Sequence, residues 1–200
     1  MLPTAFWQIL TRSSGRVEAL TRDDACSRAD CALDARAMIE IVPETPALHA
    51  DAIEALFDRT FGPGHFAKTA ERLRETSVSL PEINRVALDQ GRVVGVCRVW
   101  PLVVGPAKAR ALFYGPVAVD PEHRGNLLSL RITEAALEAG KAAGWPAAIL
   151  IGAHSLFGKA GFIVAPKNRL TFPGPQDQSR VMVRDLAGDA SVLEGLVTAP

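Results

Sequence analysis

Apolar positions along this chain alternate between the period of a strand and the period of a helix. Residues 112–119 read Leu-Phe-Tyr-Gly-Pro-Val-Ala-Val, a strand of buried composition. From 127 to 143 Leu128, Ile132, Ala135, Ala136 and Ala139 recur near the helical period, with Glu134, Glu138 and Lys141 on the other side. The next apolar run, Ala147-Ala-Ile-Leu-Ile-Gly152, completes a βαβ unit whose two strands are predicted parallel. Upstream, residues 38–42 alternate like a first strand. Residues 50–61 place Ile53, Leu56, Phe57 and Phe61 on one helical stripe that stops at Gly62-Pro63-Gly64. A second short helix is expected over 66–75, carrying Phe66, Ala70 and Leu73. Segments 85–88 and 93–104 flank the turn Asp89-Gln-Gly-Arg92 as a hairpin. The pattern predicts an α/β (α+β) domain over 38–200 with a mixed sheet. Residues 1–37 keep no steady period and are expected to form a poorly ordered extension. Two accounts of it stay open: a real arm, or a chain that begins at Met38 with the upstream residues an artefact of start-site choice.

Composition narrows the class. Of 200 residues 48% are hydrophobic, enough for one sizeable core, and 22 basic side chains balance 22 acidic ones. A neutral chain has no global field to gather nucleic acid or an anionic membrane, so neither partner is expected and anion recognition must be local. Cys26, Cys31 and Cys97 make an odd count without Cys-x-x-Cys spacing, which argues against zinc and a disulfide framework. Cys26 and Cys31 would pair only in an oxidising compartment. No apolar run reaches the roughly 18 residues that span a bilayer, and Phe6 to Leu10 is too short for a secretory signal. A cytoplasmic location is expected.

The candidate chemistry lies in Asp120-Pro-Glu-His-Arg-Gly-Asn126, between the strand and the helix of the βαβ unit. A helix start aims unpaired backbone N–H groups and the positive end of the helix dipole at one point. The junction is thus a candidate diphosphate site.

Gly115-Pro-Val-Ala-Val-Asp-Pro121 followed by Arg124-Gly125, the run 147–152, Phe157-Gly-Lys-Ala-Gly-Phe162 and Pro173-Gly-Pro175 together resemble the GNAT superfamily of acyl-CoA-dependent N-acyltransferases, in particular its bacterial predicted N-acetyltransferases. The resemblance covers about residues 38–199. It implies a mixed, twisted sheet with helices on both faces and two central parallel strands splayed at one end. It also implies acetyl-CoA as co-substrate and a small-molecule or peptide amine as acceptor, with direct attack of a primary amine on the thioester, in a monomer or homodimer. By position, the pantetheine arm would pair with the backbone of Val117, Ala118 and Val119. The diphosphate would lie at Arg124, Gly125, Asn126, Leu127, Leu128 and Ser129.

Two departures from the family pattern bear on function. Leu127 stands where the family has its central glycine, and a positive φ there would cost leucine about 1–2 kcal/mol. Phe157 stands where many members carry a tyrosine that protonates the departing thiolate. Tyr114, His154 and Ser155 are the candidate substitutes, each set against a plainer role: strand packing for Tyr114, loop surface for His154, and capping of the helix that carries Phe157 for Ser155. His123 is a candidate helper at the diphosphate. Glu40, Glu44, Asp58 and Glu82 are candidate bases for the amine. The sequence leaves open an N-acyltransferase and, as alternative, a catalytically impaired GNAT-fold module that binds a ligand or partner. A nucleotide-binding βαβ protein is disfavoured because no Gly-x-Gly-x-x-Gly opens the helix.

Overall fold

The structure, a computed structural model, describes residues 39–62, 73 and 75–200. The expectations for residues 1–37, for Cys26 and Cys31, and for nearly all of the 66–75 helix lie outside the described residues. Strand β1 (Glu40–Pro43) leads to helix α1 (Pro46–Phe61), then to strands β2 (Arg85–Asp89), β3 (Arg92–Val104) and β4 (Ala109–Val119). Helix α2 (Leu128–Ala142), strand β5 (Ala147–Ile151) and the short helix α3 (His154–Phe157) follow. Strands β6 (Ile163–Val164), β7 (Leu170–Thr171), β8 (Val181–Asp185) and β9 (Gly195–Thr198) end the chain. The sheet runs β1-β2-β3-β4-β5-β8-β6, with β9 beside β3 and β7 beside β9.

The β4–α2–β5 unit is parallel as the pattern predicts, and the other neighbours along that path pair antiparallel. Alternation explains the layers. Along β4 and β5, Leu112, Tyr114, Ala148 and Leu150 meet Ile132, Ala136 and Leu137 of α2, whereas Ala111, Phe113, Ala147 and Ile149 face Leu170, Val181 and Leu193. On β2 the alternation separates Ala87, on the α2 side, from Val86, which packs with Ile53, Leu56 and Phe57 of α1. The two helices therefore cover opposite faces, and the strands are apolar on both sides.

Helix α1 begins four residues before the expected start. Pro46 reads as a breaker in sequence, but at the first helical position its missing N–H costs nothing. Between β2 and β3, Gln90 and Gly91 take φ values of 49° and 79°, the two-residue turn that the hairpin pattern predicts. Beyond β5 the pattern predicts a helix and one further strand, where the structure has four strands, β6 to β9. They are two to five residues long, and β8 carries Arg184 and Asp185, so they present no period to read.

One irregularity shapes the site. Cys97 sits opposite Val117 and Val99 opposite Tyr114, so Gly115 and Pro116 of β4 face the single residue Arg98 of β3. The strand carries one extra residue, a bulge that tolerates a proline inside a sheet. The Val99 amide beside it bonds the carboxamide oxygen of buried Asn84 at 2.7 Å. Asn84 in turn donates to Glu44 Oε2 at 2.7 Å, and Glu44 pairs with Arg98 at 3.0 Å. Among the described residues no helix is long and apolar enough to cross a membrane.

Candidate active site

Beyond the bulge, β4 and β5 part. They pair at Leu112, Phe113 and Tyr114 and no further, while Val117, Ala118 and Val119 remain paired to Cys97, Val96 and Gly95 on the β3 side only. Among the described residues no strand pairs with the other backbone edge of Val117–Val119, which opens on a cleft of about 840 Å³. The cleft's walls are Phe113 to Val117 and Val119 of β4, Leu150 to Ala153 at the end of β5, and Leu156 and Phe157 of α3. Arg124 and Ser129 line it at the start of α2, and Thr60 and Phe61 line it at the end of α1. The turn before β8 contributes Pro175, Gln176, Asp177 and Arg180.

Of the residues expected at the cofactor, four line this cleft: Val117, Val119, Arg124 and Ser129. Ala118 points the other way, into the α1 core, as alternation along the strand requires. Leu128 is buried in the α2 core, so only its backbone faces the helix start. Gly125, Asn126 and Leu127 are exposed on the loop before α2. Leu127 takes φ 53° and ψ 22°, the left-handed conformation, and accepts the first helical hydrogen bond through its carbonyl, from Arg131. The positive φ that the sequence raised as one possibility at this position is adopted here by a leucine. The isobutyl group is 47% exposed and lies outside the cleft lining. The first turn of α2 holds no acid to neutralise its positive end.

The proton-transfer candidates fare differently. Tyr114 is buried, its hydroxyl donates to the Ala136 carbonyl at 3.4 Å, and its ring meets Phe162 edge-on at 6.4 Å between centroids. Burial pushes this phenol's pKa well above its ordinary range. Tyr114 contributes to the inner end of the cleft lining, but its hydroxyl is turned to the α2 backbone, the packing arrangement set against its candidacy as an acid. His154 and Ser155 are exposed on α3 and neither lines the cleft. Ser155 does not cap its helix either: Ala153 holds that position, with no side-chain bond. Phe157 does line the cleft, so the family's tyrosine position is occupied by a ring without a donor.

None of the four carboxylates expected near the amine lines the cleft. Glu44 is buried and spent on Asn84 and Arg98 behind the bulge, while Glu40, Asp58 and Glu82 are exposed on β1, on α1 and before β2. Among the described residues the carboxylate that does line it is Asp177, which the sequence reasoning missed. Asp177 accepts from the Ser179 hydroxyl at 2.7 Å and the Ser179 amide at 3.0 Å, and these bonds hold its pKa below the ordinary aspartate value. The Asp-x-Ser spacing was a visible turn signal. Its position was not visible, because it depends on β8 pairing with β5 across 30 residues of chain. Gln176 and Arg180 were missed for the same reason, and Thr60 because it reaches the cleft through the packing of α1 on the sheet. His123 is turned from the cleft and bonds Asp89.

No family model matches the chain. The N-acetyltransferase YhbS of Escherichia coli K12, itself uncharacterised, is 29% identical over 144 residues, 72% of this chain and 85% of that protein. The crystal structure of E. coli YhbS, a GNAT family N-acetyltransferase in complex with CoA, superposes with a TM-score of 0.68 at 30% identity, covering 81% of this chain and 89% of that one. The chain belongs to the GNAT family of N-acetyltransferases. A GNAT acetyltransferase from Brucella melitensis in complex with acetyl-CoA, at 20% identity and TM-score 0.62 over 82% of this chain and 97% of that one, shares the fold. In this chain the parting of β4 and β5 begins at the bulge of Gly115–Pro116, and a left-handed Leu127 opens α2.

Proposed function

We propose that this GNAT protein moves an acetyl group from acetyl-CoA to a primary amine by direct attack. The observation that carries the proposal is the unpaired β4 edge at Val117–Val119, opening on a cleft that ends at the acid-free start of α2. An extended amide chain such as pantetheine can pair with that edge, and a diphosphate can take the amides of the left-handed turn with Arg124 beside them. The residues present fit the co-substrate.

The amine nitrogen attacks the thioester carbonyl, the C–S bond breaks, the nitrogen loses a proton to solvent and the thiolate takes one from solvent. The backbone amides of the β4 edge are placed to polarise the carbonyl. Positioning supplies most of the acceleration. A free thiol has a pKa near 8.5, so its thiolate leaves tolerably without an acid, and Phe157 slows the step without preventing it. The acceptor enters past Thr60, Phe61 and the Gln176–Arg180 turn, a side that offers both a carboxylate and a guanidinium. The alternative of an impaired binding module is not supported by the turn at Leu127, whose geometry survives the loss of glycine.

The test is calorimetric titration with acetyl-CoA and with CoA, then thiol release with polyamines, amino acids and aminoglycosides. Micromolar binding is expected, and Arg124→Ala should weaken it by about 1–3 kcal/mol, the scale of a charge-assisted hydrogen bond. No binding at millimolar concentration would sink the proposal.

A further inference from the structure

The loop that leads into α2 is fastened at its first half only. At its base the Asp120 carboxylate accepts from the Glu122 amide at 3.2 Å and from Arg59 of α1 at 3.3 Å, and the His123 amide bonds the Asp120 carbonyl at 2.9 Å. At its far end the His123 ring meets Asp89, at the end of β2, with Nε2 to Oδ2 at 3.0 Å. The neighbouring pair Arg92–Glu122, 3.3 Å apart, is 58% and 75% exposed and holds the loop weakly. The His123–Asp89 contact is the better buried of the two, with side chains 14% and 26% exposed. His123 Nδ1 and Asp89 Oδ1 are buried and find no hydrogen-bond partner among the described residues. The contact with the carboxylate is thus made through Nε2 alone.

Past this contact, Arg124, Gly125, Asn126 and Leu127 run exposed to the helix start. Their amides and the Arg124 side chain are the groups assigned above to the diphosphate, yet among the described residues the one backbone hydrogen bond that ties them back to the turn 121–123 is Arg124 N to the Pro121 carbonyl, at 3.3 Å. Where they point depends on where the turn 121–123 is held. Binding must offset the cost of ordering a loop, and a contact that orders it beforehand removes that cost.

We infer that Asp89 and His123 are positioning residues for the diphosphate: they clasp the loop to the β2–β3 hairpin and so set the affinity for CoA, although neither lines the cleft. This inference rests on the proposed use of acetyl-CoA. It is a further role, since His123 was a candidate helper in direct reach of the anion and Asp89 only the first residue of a turn.

The experiment titrates the full chain with CoA and measures acetyl-CoA kinetics for the wild type, His123→Ala, Asp89→Ala, the double variant, and the conservative variants Asp89→Asn and His123→Gln. Each alanine variant is expected to weaken CoA about tenfold, the scale of one charge-assisted hydrogen bond, as a rise in KM with kcat retained. The double variant should lose no more than either single one, because one clasp is broken once. Asp89→Asn keeps an acceptor and His123→Gln keeps a donor, so both should recover most of the affinity. Hydrogen exchange of the 122–127 amides should quicken in the alanine variants and not in the conservative ones, and this measure holds even if an alanine variant is too unstable for kinetics. An unchanged CoA affinity in Asp89→Ala, losses that multiply in the double variant, or unaltered loop exchange would each overturn the inference. A wild type that binds no CoA would instead refute the proposed function.

Discussion

Replacing Tyr114 tests whether the chain's one tyrosine works in catalysis or in packing. Its hydroxyl lies over α2 at Gly140, where an added Cβ would run into that hydroxyl and come within 2.9 Å of Leu112 Cδ1. Gly140 is therefore small because Tyr114 and Leu112 sit on it. Gly140→Ala gains about 1 kcal/mol of helix propensity and incurs an overpacking cost of about 1–3 kcal/mol. A net loss of about 1 kcal/mol is expected. Tyr114→Phe removes a hydrogen bond of 3.4 Å, long enough that its loss costs about 0.5–1 kcal/mol at most. It also removes the nearer obstacle. The double variant should then be more stable than the sum of the single losses by about 1 kcal/mol, a coupling that urea denaturation resolves. Thiol release by Tyr114→Phe should match the wild type. The packing account is refuted if Gly140→Ala is as stable as the wild type, or if Tyr114→Phe loses about 10²-fold in kcat while staying folded, the scale of a lost general acid.

Three further outcomes are expected. Leu127→Gly should leave stability within about 1 kcal/mol, since relief of left-handed strain is offset by chain entropy and lost side-chain contact, whereas Leu127→Ile should destabilise by more. CoA affinity should hold within about twofold in Leu127→Gly, because the isobutyl group lies outside the cleft; a large tightening in titration would show that it obstructs the diphosphate. Phe157→Tyr should raise kcat with little change in KM, by placing a donor in the cleft wall, and unchanged turnover would remove position 157 from the proton path. For Asp120, burial pushes the carboxyl up, but the Glu122 amide and Arg59 guanidinium outweigh it and the net direction is down. Its stabilising contribution is therefore present above the ordinary aspartate value, about 3.9, and is lost as pH falls through the lower folded value. Asp120→Asn should flatten that acid limb in denaturation curves, and an unaltered limb would count against the assignment.

The central strand, the helix after it and the hairpin were legible because each carries its own period and its own stop signals. The αL turn at Leu127 was half legible: motif position named the residue, but only the backbone decided between helix and turn. Tyr114 shows what a sequence withholds, since its place on a strand beside the site says nothing about which face its hydroxyl takes. Glu44 was a plausible base until the bulge required Asn84, and Asn84 required Glu44. Asp177 and Arg180 meet the cleft only through the long-range pairing of β5 with β8, and Thr60 only through the packing of α1 on the sheet, and no local pattern reports either.

The bulge at Gly115–Pro116 has one more consequence. It leaves an open hydrogen-bonding edge in the middle of the sheet, where other proteins confine such edges to the rim and blunt them. Pro116, with no N–H to offer, blunts this one only at its start. A pantetheine arm laid along Val117 to Val119 would act as the absent strand, making the co-substrate a structural member of the fold it enters. Folding stability would then follow supply: at a ligand concentration of 100 times Kd the occupied form gains about 2.7 kcal/mol. The abundance of the protein would report the acyl-CoA concentration around it.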